Sequence, residues 1–237
     1  AIEPASDDRP WAIWDPPLVD RHPRTGKIRQ LAETGYAQSG TSSQAYIRSS
    51  TDEGQTWSKS IKVPQWQGVN EAYLFRAGNG DLLAACRTDV PRRLKGKTLD
   101  HYEGLGISSS RDDGRTWSAV KKLYDYGRHH PSMVLMPNQD IVMTYVVRLG
   151  YVDDQNGFPQ FGIEAVVSHD HGVTWDLDHR YLLHVWSGQR KGKTYWWPSS
   201  QATSSTLLHD GAILTAFGTG YRIKAGNDSP QAPRDVG

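Results

Sequence analysis

Three short stretches decide how this chain is read: Ser50-Thr-Asp-Glu-Gly-Gln-Thr-Trp57, Ser110-Arg-Asp-Asp-Gly-Arg-Thr-Trp117 and Ser168-His-Asp-His-Gly-Val-Thr-Trp175. Each reads Ser-x-Asp-x-Gly-x-Thr-Trp, and 60 and 58 residues separate their starts. A fixed period of this size marks an array of similar supersecondary units. The box itself suits a turn. Ser and Asp side chains hydrogen-bond the backbone groups that a hairpin tip leaves open, Gly supplies a positive φ, and Trp packs back between strands. All three jobs are structural.

Between the boxes the grammar is that of β-hairpins. In "EAYLFRAGNGDLLAACRTD" two apolar runs flank Asn79-Gly80; "PSMVLMPNQDIVMTYVVR" and "ATSSTLLHDGAILTAFGTG" repeat the pattern, the last around Asp210-Gly211. Such runs broken by Asn-Gly or Asp-Gly are strong hairpin signals. Each unit thus offers a hairpin, a loop, a third strand ending in Ser, the box and a fourth strand. Four antiparallel strands per repeat describe a propeller blade, so the fold class expected is an all-β propeller.

The boxes resemble the Asp-box, or BNR repeat, of the sialidase (neuraminidase) superfamily, and the hairpins from about residue 40 onward resemble its blades. The resemblance implies a sialidase-like β-propeller, six-bladed when complete. About four blades are visible: the later part of one over 11–65, two whole ones over 66–127 and 128–187, and a last over 188–237. Residues 1–237 are read as one propeller domain that lacks blades mainly before Ala1. Boxes in that family lie away from the active site, which places the chemistry at the other ends of the blades.

Loops entering the first strand and leaving the second strand of each blade supply the candidates. They are Asn70 and Glu71 with Arg87; His130 with Arg148 and Tyr151; and Gln201, Tyr221 and Arg222. Arginine forks bind carboxylates through two parallel hydrogen bonds, which suits an acidic sugar. By the resemblance, Glu71 is the base that polarises a tyrosine nucleophile, and Arg87 and Arg148 belong to a carboxylate-binding triad. The chain departs from the family where its nucleophile should open the last blade, because Ala202 stands there. Tyr151 and Tyr221 are the candidate replacements, and a phenol needs an adjacent base to attack near neutral pH. No early residue matches the family's acid Asp; Asp100 and His101 are the loop candidates for that role. Of the adjacent pair His129-His130, strand alternation allows one ring into the pocket, and His130 is preferred. His169 and His171 sit inside a box and read as solvated, and Trp196-Trp197 could form a sugar platform or core.

Composition narrows the classes further. With 27 basic and 26 acidic residues dispersed along 237, and a net charge of +1, the chain shows no footprint for nucleic acid or for a membrane surface. A carbohydrate partner is the simpler expectation, with no cofactor and no metal. The single cysteine, Cys86, excludes a disulfide framework and a Cys-based zinc site. The expected location is secreted or periplasmic, with any leader outside this stretch. The function expected is a glycoside hydrolase resembling an exo-α-sialidase that cleaves a terminal acidic sugar. The alternatives are a non-catalytic carbohydrate-binding propeller, or a lyase acting on uronates.

Overall fold

A computed structural model describes residues 13, 15–22, 24–39, 42–94, 101–148, 160–187, 202–222 and 234–236. The described chain is built from β-strands and one short 3-10 turn, Arg92–Leu94. The first sheet runs in chain order through β1 (Leu18–Arg21), β2 (Ile28–Ser39), β3 (Ser42–Ser50) and β4 (Ile61–Gln67). The second runs through β5 (Val69–Arg76), β6 (Leu82–Thr88), β7 (Gly104–Ser110) and β8 (Lys121–Tyr124). The third holds β9 (Arg128–Leu135), β10 (Ile141–Val147), β11 (Gln160–Ser168) and β12 (Tyr181–Ser187); the last holds β13 (Thr203–Leu207), β14 (Ile213–Arg222) and β15 (Arg234–Val236). The three four-stranded antiparallel sheets, and the last one with three described strands, are propeller blades. The first blade has four strands rather than only its later part: β1 is just four residues, Leu-Val-Asp-Arg, too short to show a period of two.

The chain divides into two compact units, 1–89 with 106–122, and 90–105 with 123–237. In the first, buried Ala32, Ala45, Val63, Trp66, Ala72, Leu74, Ala84, Cys86 and Trp117 form one core cluster, with the Trp66 and Trp117 ring centroids 4.7 Å apart. Strand β6 is buried at every position, which explains why "LLAACRT" reads as a continuous apolar run rather than an alternating one. In the second unit Met133, Ile141, Met143, Tyr145, Val147, Phe161 and Ile163 fill the same role.

The three boxes fold alike. Ser50, Ser110 and Ser168 each donate to the Asp two residues on, at 2.7, 2.8 and 2.9 Å, and each accepts the amide of the box Gly. The same Asp carboxylates accept the amide and the hydroxyl of Thr56, Thr116 and Thr174, the hydroxyl at 2.6 Å in every case. Positive φ at Gly54, Gly114 and Gly172 closes each turn, and the preceding Glu53, Asp113 and His171 are left-handed too. The serines and aspartates of the repeat are thus spent on their own turn.

Candidate active site

In the first unit, antiparallel register sets Glu71 on β5 opposite Arg87 on β6. One guanidinium nitrogen, Nη1 of Arg87, donates to both carboxylate oxygens of Glu71, at 2.9 and 3.0 Å. Both side chains are buried, as is Asn70 beside them. Asn70 sits where the pairing of β5 with β6 shifts by one residue, between Val69 and Glu71. A bulge of this kind re-aims side chains at the end of a strand.

A third group is electrostatically coupled to this pair. Asp15, half-buried just ahead of Pro16-Pro17 and β1, has its carboxyl pushed up to about 7. Burial is the main cause and the negative charge of Glu71 adds to it, while Arg87 pulls the other way. A carboxylic acid that keeps its proton near neutrality therefore stands in the field of a carboxylate held by a guanidinium. A carboxyl raised toward neutrality in the field of a second, guanidinium-bound carboxylate has the pattern of an acid and base pair. Sequence reading missed Asp15, since its charge partners are more than fifty residues away; its one local signal is an Asp between Trp14 and two prolines that stiffen the approach to β1.

Neighbouring Asp89 is a structural clamp: its carboxylate accepts the amide of Ser43 at 2.8 Å and the hydroxyl of Ser42 at 3.2 Å.

In the second unit, β9 opens with Arg128, His129 and His130, all buried. Arg128 pairs with Glu164 of β11 at 3.0 Å, and its guanidinium lies 4.7 Å from the centroid of Tyr124. Tyr124 and Tyr145 share a hydrogen bond at 2.7 Å, and burial pushes both phenols upward, away from a phenolate at neutral pH. Arg148 is buried just past β10, and its amide donates to the carbonyl of Gly127 at 2.8 Å. The two histidines depart from the alternation expected of a strand. His130 has φ +50, so it is not extended, and its ring centroid lies 4.5 Å from that of His129 instead of on the opposite face.

Tyr221 and Arg222 close β14. Tyr151 and Gln201 lie outside the described residues, as do Asp100, Trp196 and Trp197. His101 is buried, edge-on to Phe161 at 6.0 Å. His169 is exposed and pairs with Asp140 at 2.9 Å. Among the described residues no group of three or more His, Cys, Asp or Glu side chains could hold a metal ion.

No protein-family model matches the chain, and no curated protein sequence does. Solved structures do match. A Dyadobacter fermentans protein of unknown function aligns at TM-score 0.53 and 15% identity, over 87% of this chain and 61% of its own. The α-L-arabinofuranosidase Arb93A of Fusarium graminearum aligns at TM-score 0.58 and 14% identity, over 97% of this chain and 77% of its own. The Hadza microbial sialidase Hz136 gives 0.49 and 17%, over 79% and 39%. At such identities the likeness is one of fold, a β-propeller, and the chain spans 61% of the first and 39% of the last of these three.

Proposed function

We propose that the chain carries the acid and base pair of a glycoside hydrolase that removes a terminal sugar. The observation that carries this reading is the Asp15 carboxyl, pushed up to about 7 by burial and by the charge of the Glu71 carboxylate that Arg87 holds. Asp15 is the general acid that protonates the leaving oxygen. Glu71 is the carboxylate that attacks the anomeric carbon or activates water there, as the oxocarbenium-like transition state develops. With Ala202 in place of a tyrosine at the head of the last blade, this two-carboxylate chemistry needs no phenol nucleophile. A neutral sugar such as an arabinofuranoside is then the first substrate class to try. The narrower exo-α-sialidase reading, with a terminal acidic sugar, is favoured by one feature, the buried arginines Arg87 and Arg148 at the openings of their hairpins.

The test assays the polypeptide on 4-methylumbelliferyl α-L-arabinofuranoside, on the corresponding α-N-acetylneuraminide and on a uronate polymer. Hydrolysis of one aryl glycoside is expected, with kcat/KM falling as pH rises through about 7 and that limb absent in Asp15→Asn. The loss in Asp15→Asn should be greater, by about tenfold or more, on a natural disaccharide than on the aryl glycoside, whose good leaving group needs less help from an acid. Sugar binding without turnover would replace this reading with a carbohydrate-binding propeller. Release of an ultraviolet-absorbing unsaturated uronate would replace it with a lyase.

A further inference from the structure

The first two blades close the same turn with different residues. In the first, the Gly68 amide donates to the carbonyl of Ser43 at 2.8 Å; in the second, the Gly127 amide donates to that of Glu103 at 2.7 Å. The two glycines have φ of +81 and +80. Just ahead of the bonded residues stand Ser42 and Gln67 in the first blade, and Tyr102 and Tyr126 in the second. Counting from the boxes agrees, since Ser42, Tyr102 and Gln160 each stand eight residues before the box serines Ser50, Ser110 and Ser168. The turn therefore closes without an aromatic residue at either position.

In the second unit these tyrosines meet two charged side chains. Their ring centroids lie 6.3 Å apart at an inclination of 33°, tilted rather than stacked or edge-on. Arg93 of the 3-10 turn lies over the Tyr126 ring, 5.7 Å from its centroid, and pairs with Asp125 at 2.6 Å. Asp125 stands where the first blade has the buried Trp66, so the charged pair is as particular to this blade as the rings are. Both rings are half-buried, and the Arg93 and Asp125 side chains are 60% and 35% exposed. Among the described residues neither phenol hydroxyl has a hydrogen-bond partner, unlike those of Tyr124 and Tyr145, which bond each other.

A ring with an apolar face and a wet hydroxyl suits a ligand that is itself apolar on one side and polar at its edge. A sugar is such a ligand: its C–H face stacks on an aromatic ring, and its hydroxyls both donate and accept. Arg93 supplies donors only and Asp125 acceptors only. Their charges cancel, which favours a neutral, hydroxyl-bearing ligand over an anion. We propose that Tyr102, Tyr126, Arg93 and Asp125 form a binding surface for a neutral polysaccharide chain, the rings stacking on its sugars and the ion pair bonding their hydroxyls. The surface needs no turnover at Asp15 and Glu71, so the inference goes beyond the hydrolase reading.

Affinity electrophoresis in native gels cast with linear arabinan, galactomannan or polygalacturonate tests it. At least one of the two neutral polymers should retard the wild type. Tyr102→Ser combined with Tyr126→Gln gives this turn the residues of the first blade, and should bind that polymer about tenfold more weakly at an unchanged melting temperature. Tyr126→Phe keeps the ring and should bind as the wild type does. Arg93→Gln alters an exposed side chain, so it should fold normally, and its retardation should fall too. Wild-type affinity in the double variant or in Arg93→Gln would overturn the proposal, as would a wild type that neither neutral polymer retards. Retardation by polygalacturonate alone would make this an anion site and overturn it likewise. The readout is binding and not hydrolysis, so failure of the hydrolase reading and failure of this one are separate outcomes.

Discussion

Gln139 stands where its sister hairpins place glycine. Gly80 and Gly211 close those turns at φ +93 and +85, whereas Gln139 adopts φ +74 with a β-carbon in the way. The rest of the turn is unchanged: Asn79 donates to Asp81 at 2.9 Å, and Asn138 donates to Asp140 at 2.8 Å. The left-handed conformation costs a side-chain-bearing residue about 1–2 kcal/mol, and glycine gives back part of that in unfolded-chain entropy. Gln139→Gly should therefore raise stability by about 0.5–1 kcal/mol, read as an upward shift of the chemical denaturation midpoint at unchanged slope. An unchanged or lower midpoint would show that the glutamine side chain contributes something the turn geometry does not reveal. At Gln139 the strain sits in an exposed turn, whereas at His130 it is buried in a strand, at that strand's own bulge.

At the scale of elements, the boxes and hairpins were legible because every bond that defines them closes within a few residues. Ser110 shows how much of a turn hangs on one side chain: its buried hydroxyl donates to Asp112 at 2.8 Å and accepts the Gly114 amide at 2.8 Å. Ser110→Ala removes both and leaves an amide to find water at a turn that is otherwise closed. It should lower stability by about 1–2 kcal/mol without altering kcat/KM, and a matching loss of kcat/KM in the folded protein would contradict a purely structural turn. The Glu71–Arg87 pairing was legible for a related reason, since both residues flank one hairpin and its register brings them together. What sequence could not show was non-local or ran against local preference. Asp15 depends on charges far along the chain. The rings of His129 and His130 approach each other only because His130 leaves the extended conformation that alternation assumes.

At the scale of the whole molecule, six carboxyl groups among the described residues have displaced protonation. Asp140 and Asp176 are lowered by hydrogen bonds from His169 and His179, and Asp15, Asp52, Asp112 and Asp170 give the pH dependence of stability two opposed limbs. Asp52 and Asp112 are lowered from 3.8 to about 2, first by the hydroxyls of Thr56 and Thr116 and then by the amides of the same residues. Asp170 is lowered too: burial opposes ionisation there, but the hydrogen bonds from Thr174 outweigh it. A group lowered on folding stabilises above its unfolded value, and that stability is lost as pH falls from about 4 through about 2. Asp15 acts in the opposite sense. Its folded value near 7 lies above its unfolded value of 3.8, so the folded state binds the extra proton, and stability declines as pH rises between those values. Among these four groups the optimum thus falls near pH 4, on the acidic side of neutrality. Melting temperature followed from pH 2 to pH 8 should rise, pass a maximum and decline toward pH 7. Asp15→Asn removes the titrating group and should flatten the decline on the neutral side, leaving the acid limb in place. Asp112→Asn should weaken the acid limb and leave the neutral decline unchanged. A wild-type profile that keeps climbing to pH 7 would mean that Asp15 is ionised at neutrality. The general acid of the hydrolase would then have to be sought elsewhere.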